Sequence, residues 1–158
     1  MKKVKILLAS LLTLAVLFGF SGCGKNKNPI TAKEFKSKME EKSYTVTTST
    51  NQYSNSSIKE SYIAVAKNYG YQIEFIVLDS DDSAISMYRT NESNFEVEKN
   101  KATVKSYTTV SLANYAKYTL LANNKYKVIS RIGNTLIYID ANANYKDEIK
   151  TVLDELGY

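Results

Sequence analysis

The chain contains no histidine and no tryptophan, and its 158 residues include one cysteine and one proline. Without histidine, neither a Ser-His-Asp nor a Cys-His catalytic arrangement can form, and no metal site can use imidazole ligands. A single cysteine excludes an internal disulfide and a cysteine-based zinc site. Glycine is also scarce, with three of the six glycines before residue 25, and no glycine-rich phosphate loop is present. These absences exclude several common enzyme classes.

The N-terminal residues have the layout of a secretory signal. Three lysines lie within the first five residues, and the next 15 residues, 6–20, contain only two polar side chains. This apolar run is shorter than the ~20 residues that an ordinary membrane-spanning helix needs. Small residues follow it, as they do at signal cleavage sites. We therefore predict a signal peptide over residues 1–22.

The end of the apolar run carries a recognisable motif. Phe20-Ser21-Gly22-Cys23 resembles the lipobox of bacterial lipoproteins, with Phe20 where that family prefers leucine. The resemblance implies that Cys23 receives a diacylglyceryl group and becomes the first residue after cleavage. Because two acyl chains give stable anchoring, we expect a protein that is lipid-anchored in the cell membrane and faces the extracytoplasmic side. Residues 23–30 are predicted to be a tether.

The net charge changes when the signal is removed. The whole chain has 21 basic and 16 acidic residues, a net charge of +5. Residues 1–22 contain three lysines and no acid, which leaves 18 basic and 16 acidic residues, a net charge of +2. Much of the basic character therefore belongs to the signal, and we expect no nucleic-acid partner.

The remaining residues, 31–158, predict one domain with three helices. Thr31-Ala32-Lys33-Glu34 forms a capping box at the start of a helix that ends near Lys42. The acidic residues 79–82 start a second helix, and an apolar stripe at helical spacing predicts a third from Tyr145 to Leu156. Strands are predicted over residues 44–50, 61–67, 71–78, 102–112, 115–122, 125–132 and 135–139.

The predicted turns indicate how these strands pair. Asn123-Asn124 and Gly133-Asn134 are typical of two-residue hairpin turns, because Asn and Gly tolerate positive φ. Hairpins imply antiparallel pairing. We therefore predict an α+β fold, with an antiparallel sheet of about six to seven strands and helices packed on one face in two layers.

The same turns fix which side chains share a face of the last three strands. One face is mainly aliphatic, includes Ile137 and Ile139, and should meet the helices. The other face is expected to be more open and is the candidate ligand surface, suited to an anionic or glycan ligand or exposed only to solvent. Its candidate residues are Tyr118, Lys127, Arg131 and Tyr138. The 13 tyrosines have two interpretations: half-buried positions in the sheet, or a contact surface.

Two acidic segments partly match a calcium-binding loop, but neither has all the residues that such a loop needs. Residues 140–144 place oxygen ligands as an EF-hand loop does, but Tyr145 stands where the loop needs glycine and Thr151 where it needs glutamate. Residues 79–83 fail in the same way. Helix capping accounts for both segments, so no metal or cofactor is predicted, and no catalytic residue is assigned.

Three segments of the domain carry a second resemblance. Thr31–Phe35, Asp82–Met87 and Asn134–Tyr138 are similar to segments of small lipoproteins of clostridial, low-GC Gram-positive bacteria. This resemblance implies a location and no activity. We expect a non-enzymatic binding or interaction module of the cell envelope, with an envelope protein, a peptide or a glycan as partner. The alternatives are a carboxylate-dependent extracellular hydrolase or transferase, and a structural accessory subunit of an envelope complex.

Overall fold

The computed structural model describes residues 26–52 and 57–158. The predicted signal peptide and Cys23 lie outside these residues. The elements are α1 (Ala32–Glu41), β1 (Thr45–Thr48), β2 (Ile58–Val65), β3 (Gln72–Leu78), α2 (Asp81–Lys101), β4 (Val104–Ser111), β5 (Tyr115–Ala122), β6 (Lys125–Ile132), β7 (Thr135–Asn142) and α3 (Lys146–Leu156). Short 3₁₀ helices cover Thr50–Gln52 and Ala143–Tyr145.

All seven strands of the described chain belong to one antiparallel sheet. Their order is β1-β2-β3-β7-β6-β5-β4, so β3 and β7 pair at the centre. The predicted α+β class and antiparallel sheet are confirmed. The two predicted hairpins have the expected register, since Ala122 pairs with Lys125 and Ile132 pairs with Thr135. Asn123 and Asn124 both have positive φ, as a tight hairpin turn requires.

The helices cover both faces of the sheet. The core on one face joins α1 and α3 to residues such as Phe75 and Ile137. The core on the other face joins α2 to residues such as Ile129 and Leu136. The predicted two-layer arrangement, with all helices on one face, is therefore wrong, and the domain has three layers.

The path of the chain explains the third layer. Because β7 occupies the position beside β3, the chain must cross from the middle of the sheet to its far edge before β4 begins. α2 makes this crossing, and its 21 residues bury Ala84, Tyr88 and Phe95 against the sheet. The central strands are apolar on both faces, and the crossing helix removes the second face from water.

Candidate functional site

The four candidate ligand residues share one face of the sheet, as the register predicts. Tyr118 is opposite Ile129, and Ile129 is opposite Tyr138, while Lys127 and Arg131 follow at alternate positions of β6. This is the face that α2 covers. Tyr118 is 2% exposed and Arg131 is 4% exposed. The prediction that this face is open is therefore wrong.

The two candidate tyrosines, Tyr118 and Tyr138, pack against α2. The ring of Phe95, from α2, lies 5.9 Å from the ring of Tyr118 and 5.8 Å from the ring of Tyr138. The Tyr118 hydroxyl donates a hydrogen bond of 2.6 Å to Glu96 on the same helix. Burial, together with the nearby Glu96 carboxylate, raises the pKa of the Tyr118 phenol. These contacts assign both tyrosines to the attachment of α2.

Lys127 is part of an ion-pair network at the edge of the helix. Its ammonium nitrogen lies 2.6 Å from a carboxylate oxygen of Glu98 and 3.0 Å from one of Asp140. Burial opposes the charged form of this amine, but the two carboxylates outweigh it and raise the pKa of Lys127. Since both acceptors belong to this chain, Lys127 is already paired.

Arg131 has a different environment from the other three candidates. It lines an open groove of about 330 Å³ between the first half of α2 and the turn that joins β4 to β5. Arg89 and Glu92 on the helix, and Ser111 and Leu112 at the turn, also line this groove. The structure therefore brings Arg131 together with Arg89, which the sequence reasoning did not single out. Their 42-residue separation concealed the pair, because only the crossing of α2 brings them together.

Few groups of the protein engage the Arg131 guanidinium. One of its terminal nitrogens donates a 3.1 Å hydrogen bond to the carbonyl oxygen of Gly133. Within residues 26–52 and 57–158, no ion pair to Arg131 is formed. On the groove lining, the Tyr88 hydroxyl donates a 3.3 Å hydrogen bond to Glu92. Burial, and then the Glu92 charge, raises the pKa of Tyr88.

The predicted tether is attached to the domain at Lys27, through the β4–β5 turn. The Asn114 side chain accepts a 3.0 Å hydrogen bond from the Lys27 backbone N–H and donates one of 2.6 Å to the Lys27 carbonyl oxygen. The Lys27 ammonium group lies 3.9 Å from the ring centre of Tyr115 and donates a hydrogen bond to the carbonyl oxygen of Gly157. Burial lowers the pKa of Lys27, while Asp154 opposes that shift. The predicted free tether of residues 23–30 is thus shortened, because it is held at Lys27.

The two acidic segments act as helix starts in the described chain. The Ser80 hydroxyl oxygen caps α2 by accepting a hydrogen bond from the Ser83 N–H, and Asn142 caps the short helix before α3 in the same way. Among the described residues, no group of three or more Asp, Glu, Cys or His side chains is arranged to hold a metal ion.

Comparison with known proteins identified no relative of this chain. No protein-family model matches the chain, and neither the curated proteins nor the solved structures contain a significant match to it. Within the described residues, no helix has the length and apolarity needed to cross a membrane. Conclusions about function therefore depend on the sequence motifs and on the geometry described above.

Proposed function

We propose that the chain is a lipid-anchored lipoprotein on the extracytoplasmic side of the cell membrane, and that its domain is a non-enzymatic binding or interaction module. The observation that carries this proposal is the position of Cys23. It is the only cysteine, and it lies directly after an apolar run and two small residues. These residues are outside the described part of the chain, so the support is from sequence.

The attached segment at Lys27 supports a position close to the membrane. Lys27 is four positions after Cys23 along the chain, and four extended residues span at most ~14 Å. A lipid on Cys23 would therefore keep the β4–β5 turn, which holds Lys27 through Asn114, near the headgroup region. A module this close to the bilayer suits a ligand or partner at the membrane surface.

Three carboxylates on the α2 side are paired within the protein, which favours binding over catalysis. Glu98 and Asp140 are paired with Lys127, and Glu96 is paired with Lys99 while it accepts the Tyr118 hydroxyl. A hydrolase that depends on two carboxylates needs them free to exchange protons with substrate. These three carboxylates serve structural contacts.

The positions of the exposed apolar residues favour a binding module over a purely structural subunit, because a subunit that packs against another protein needs one large apolar patch. Tyr107 and Val110 on β4, and Leu112 directly after it, are each at least 40% exposed. Tyr107 and Val110 are opposite Leu120 and Lys117 of β5, which point to different faces of the sheet. The exposed apolar area on β4 is therefore divided between the two faces.

Metabolic labelling with a fatty acid tests the anchor directly. The wild type should incorporate label, and Cys23→Ser should not, because only the thiol accepts the diacylglyceryl group. Lys25→Ala is the matched control, since it changes a neighbouring residue and keeps the motif, and it should label like the wild type. Equal labelling of the wild type and Cys23→Ser would contradict the proposal.

A further inference from the structure

The two arginines of the chain line the same groove. Of the 21 basic residues, 19 are lysines, and only Arg89 and Arg131 are arginines. Both line the groove between α2 and the β4–β5 turn. Arginine differs from lysine because its planar fork of N–H donors matches the oxygens of phosphate and carboxylate groups. The rare residue type is therefore concentrated at one place.

The buried arginine has donors left for a ligand. A guanidinium carries five N–H donors, and the described residues supply one acceptor, the Gly133 carbonyl oxygen. Throughout the described residues, every side-chain nitrogen or oxygen that is fully shielded from solvent has a hydrogen-bond partner. The Arg131 nitrogens that have no partner among the described residues therefore keep some contact with solvent, and Arg131 lines the open groove although it is 96% buried. A buried cation without a carboxylate partner favours the binding of an anion.

The other lining groups suit an anion that carries an organic substituent. Arg89 adds a second positive charge, and Glu92 is the only acidic residue of the lining, which leaves the groove with a net positive charge. Ser111 offers a hydroxyl donor, and Leu112, which is 50% exposed, offers an apolar surface at the rim. The space of about 330 Å³ is ample for a phosphate group with part of its ester.

We propose that this groove binds a phosphate group through Arg131 and Arg89. The groove alone supports the phosphate chemistry. A phospholipid headgroup as its source rests in addition on the proposed lipid anchor, because the β4–β5 turn that lines the groove also holds Lys27. The other source is a soluble phosphate or phosphate monoester.

Titration calorimetry on the full chain in a non-ionic detergent tests the proposal. The probes are inorganic phosphate, glycerol phosphate and short-chain phosphatidylglycerol, with acetate as the anion that lacks phosphate. We expect millimolar or tighter binding of inorganic phosphate. Stronger binding of phosphatidylglycerol than of both soluble phosphates identifies a headgroup as the source, and the reverse identifies a soluble ligand. Absence of phosphate binding, or equal binding of acetate, overturns the proposal.

Charge variants on α2 separate the groove from general attraction. Arg89 is exposed, so Arg89→Gln should fold, and we expect phosphate binding to weaken about tenfold. Lys101→Gln removes an equal charge from the far end of the same helix and should leave binding within about twofold. Glu92→Gln should strengthen binding. Equal losses of phosphate affinity for Arg89→Gln and Lys101→Gln would overturn the groove as the site. Arg131→Lys should lose phosphate affinity as Arg89→Gln does, and circular dichroism checks that this variant is folded.

The test is independent of the anchor. Phosphate binding to the groove needs no lipid on Cys23, so Cys23→Ser should bind inorganic phosphate like the wild type. A wild type that takes up no fatty-acid label but still binds phosphate would refute the anchor and keep the groove. The opposite result would keep the anchor and refute the groove.

Discussion

Gly70 lies where a β-carbon would overlap a neighbouring side chain. It belongs to the loop between β2 and β3, and a β-carbon built there would collide with the phenol of Tyr145, which precedes α3. The Tyr145 ring in turn lies 5.2 Å from the ring of Tyr71. The hairpin loop and the start of α3 thus pack closely because residue 70 has no side chain.

Gly70→Ala should destabilise the fold by about 1–3 kcal/mol, as overpacking does. Urea unfolding measures the change, and Lys67→Ala, an exposed substitution in the same loop, is the control with little effect. In a Tyr145→Ala background the cost of Gly70→Ala should largely disappear, since the colliding ring is gone. An unchanged cost in that background would show that the collision is not the cause.

The candidate ligand residues show what sequence reasoning reaches at this scale. Their common face follows from two turns of two residues each, and the register confirms it. Their exposure did not follow, because it depends on where α2 lies. Ile129 and Leu136, on the same face, were the available signal: two aliphatic side chains on a face expected to be open indicate a cover.

At the scale of the element, α1 shows local sequence determining local structure. The Thr31 hydroxyl accepts a hydrogen bond from the Glu34 N–H, and a Glu34 carboxylate oxygen accepts one from the Thr31 N–H at 2.7 Å. The predicted capping box is confirmed. The Thr31 N–H and the Thr31 hydroxyl both donate hydrogen bonds to the Glu34 carboxylate and lower the pKa of that carboxyl, with Lys38 adding to the shift.

Thr31→Ala should lower the free energy of unfolding by about 1 kcal/mol through the lost cap. Lys33→Ala, an exposed change in the same turn, should lie within about 0.5 kcal/mol of the wild type. Chemical unfolding of the three proteins at neutral pH provides the comparison. A cost for Lys33→Ala equal to that for Thr31→Ala would mean that the cap is not responsible.

The contribution of Glu34 in α1 to stability depends on pH, and the direction of this dependence follows from its lowered pKa. Because the folded-state pKa of Glu34 is depressed, its contribution is complete above the unfolded-state pKa of the carboxyl and is lost as the pH falls through the folded-state pKa. Thr31→Ala removes the hydrogen bond from its hydroxyl and weakens that shift.

The position of an element is harder to predict from the sequence when it depends on pairing between distant parts of the chain. The bounds of β5 and β6 agree with their predicted ranges, since turn residues delimit them. The capping signal at Ser80 locates the start of α2. The side of the sheet on which α2 packs depends on the central β3–β7 pairing. That pairing joins residues about 60 positions apart, and no local pattern in the sequence encodes it.

At the scale of the whole molecule, tyrosine is mainly a core residue. Of the 13 tyrosines, seven are buried in the described chain: Tyr44, Tyr71, Tyr88, Tyr115, Tyr118, Tyr126 and Tyr158. Several hydroxyls meet other polar groups inside the protein, as Tyr44 does with Tyr71 and Tyr158 does with Thr135. Of the two interpretations of the tyrosine content, the structure supports sheet and core positions.

Buried phenols should make the protein sensitive to alkali. Burial raises the pKa of Tyr126 to about 12, and it also raises the pKa values of Tyr71 and Tyr158. A raised folded-state pKa gives stability that is complete below the unfolded value of about 10 and is lost as the pH rises through the folded value. The free energy of unfolding, measured by urea at increasing pH, should therefore fall above about pH 10.

A variant isolates one phenol from the rest. Tyr126→Phe removes a group that titrates, so its stability should fall less steeply with pH than that of the wild type. Tyr69→Phe, at a side chain that is 83% exposed, is the control and should keep the wild-type slope. Stability that stays constant well above pH 10 would contradict the expected role of the buried phenols.

The central pairing of β3 with β7 has a consequence for the order of synthesis. Ile76 of β3 faces Leu136 of β7, so β3 is complete some 60 residues before its partner leaves the ribosome or a translocation pore. Until then, the backbone groups along one edge of β3 are unpaired, and this apolar strand can pair with another chain. The risk of aggregation therefore lasts until the final 24 residues, which begin with β7, are made, and an exported chain would pass through that interval outside the cytoplasm.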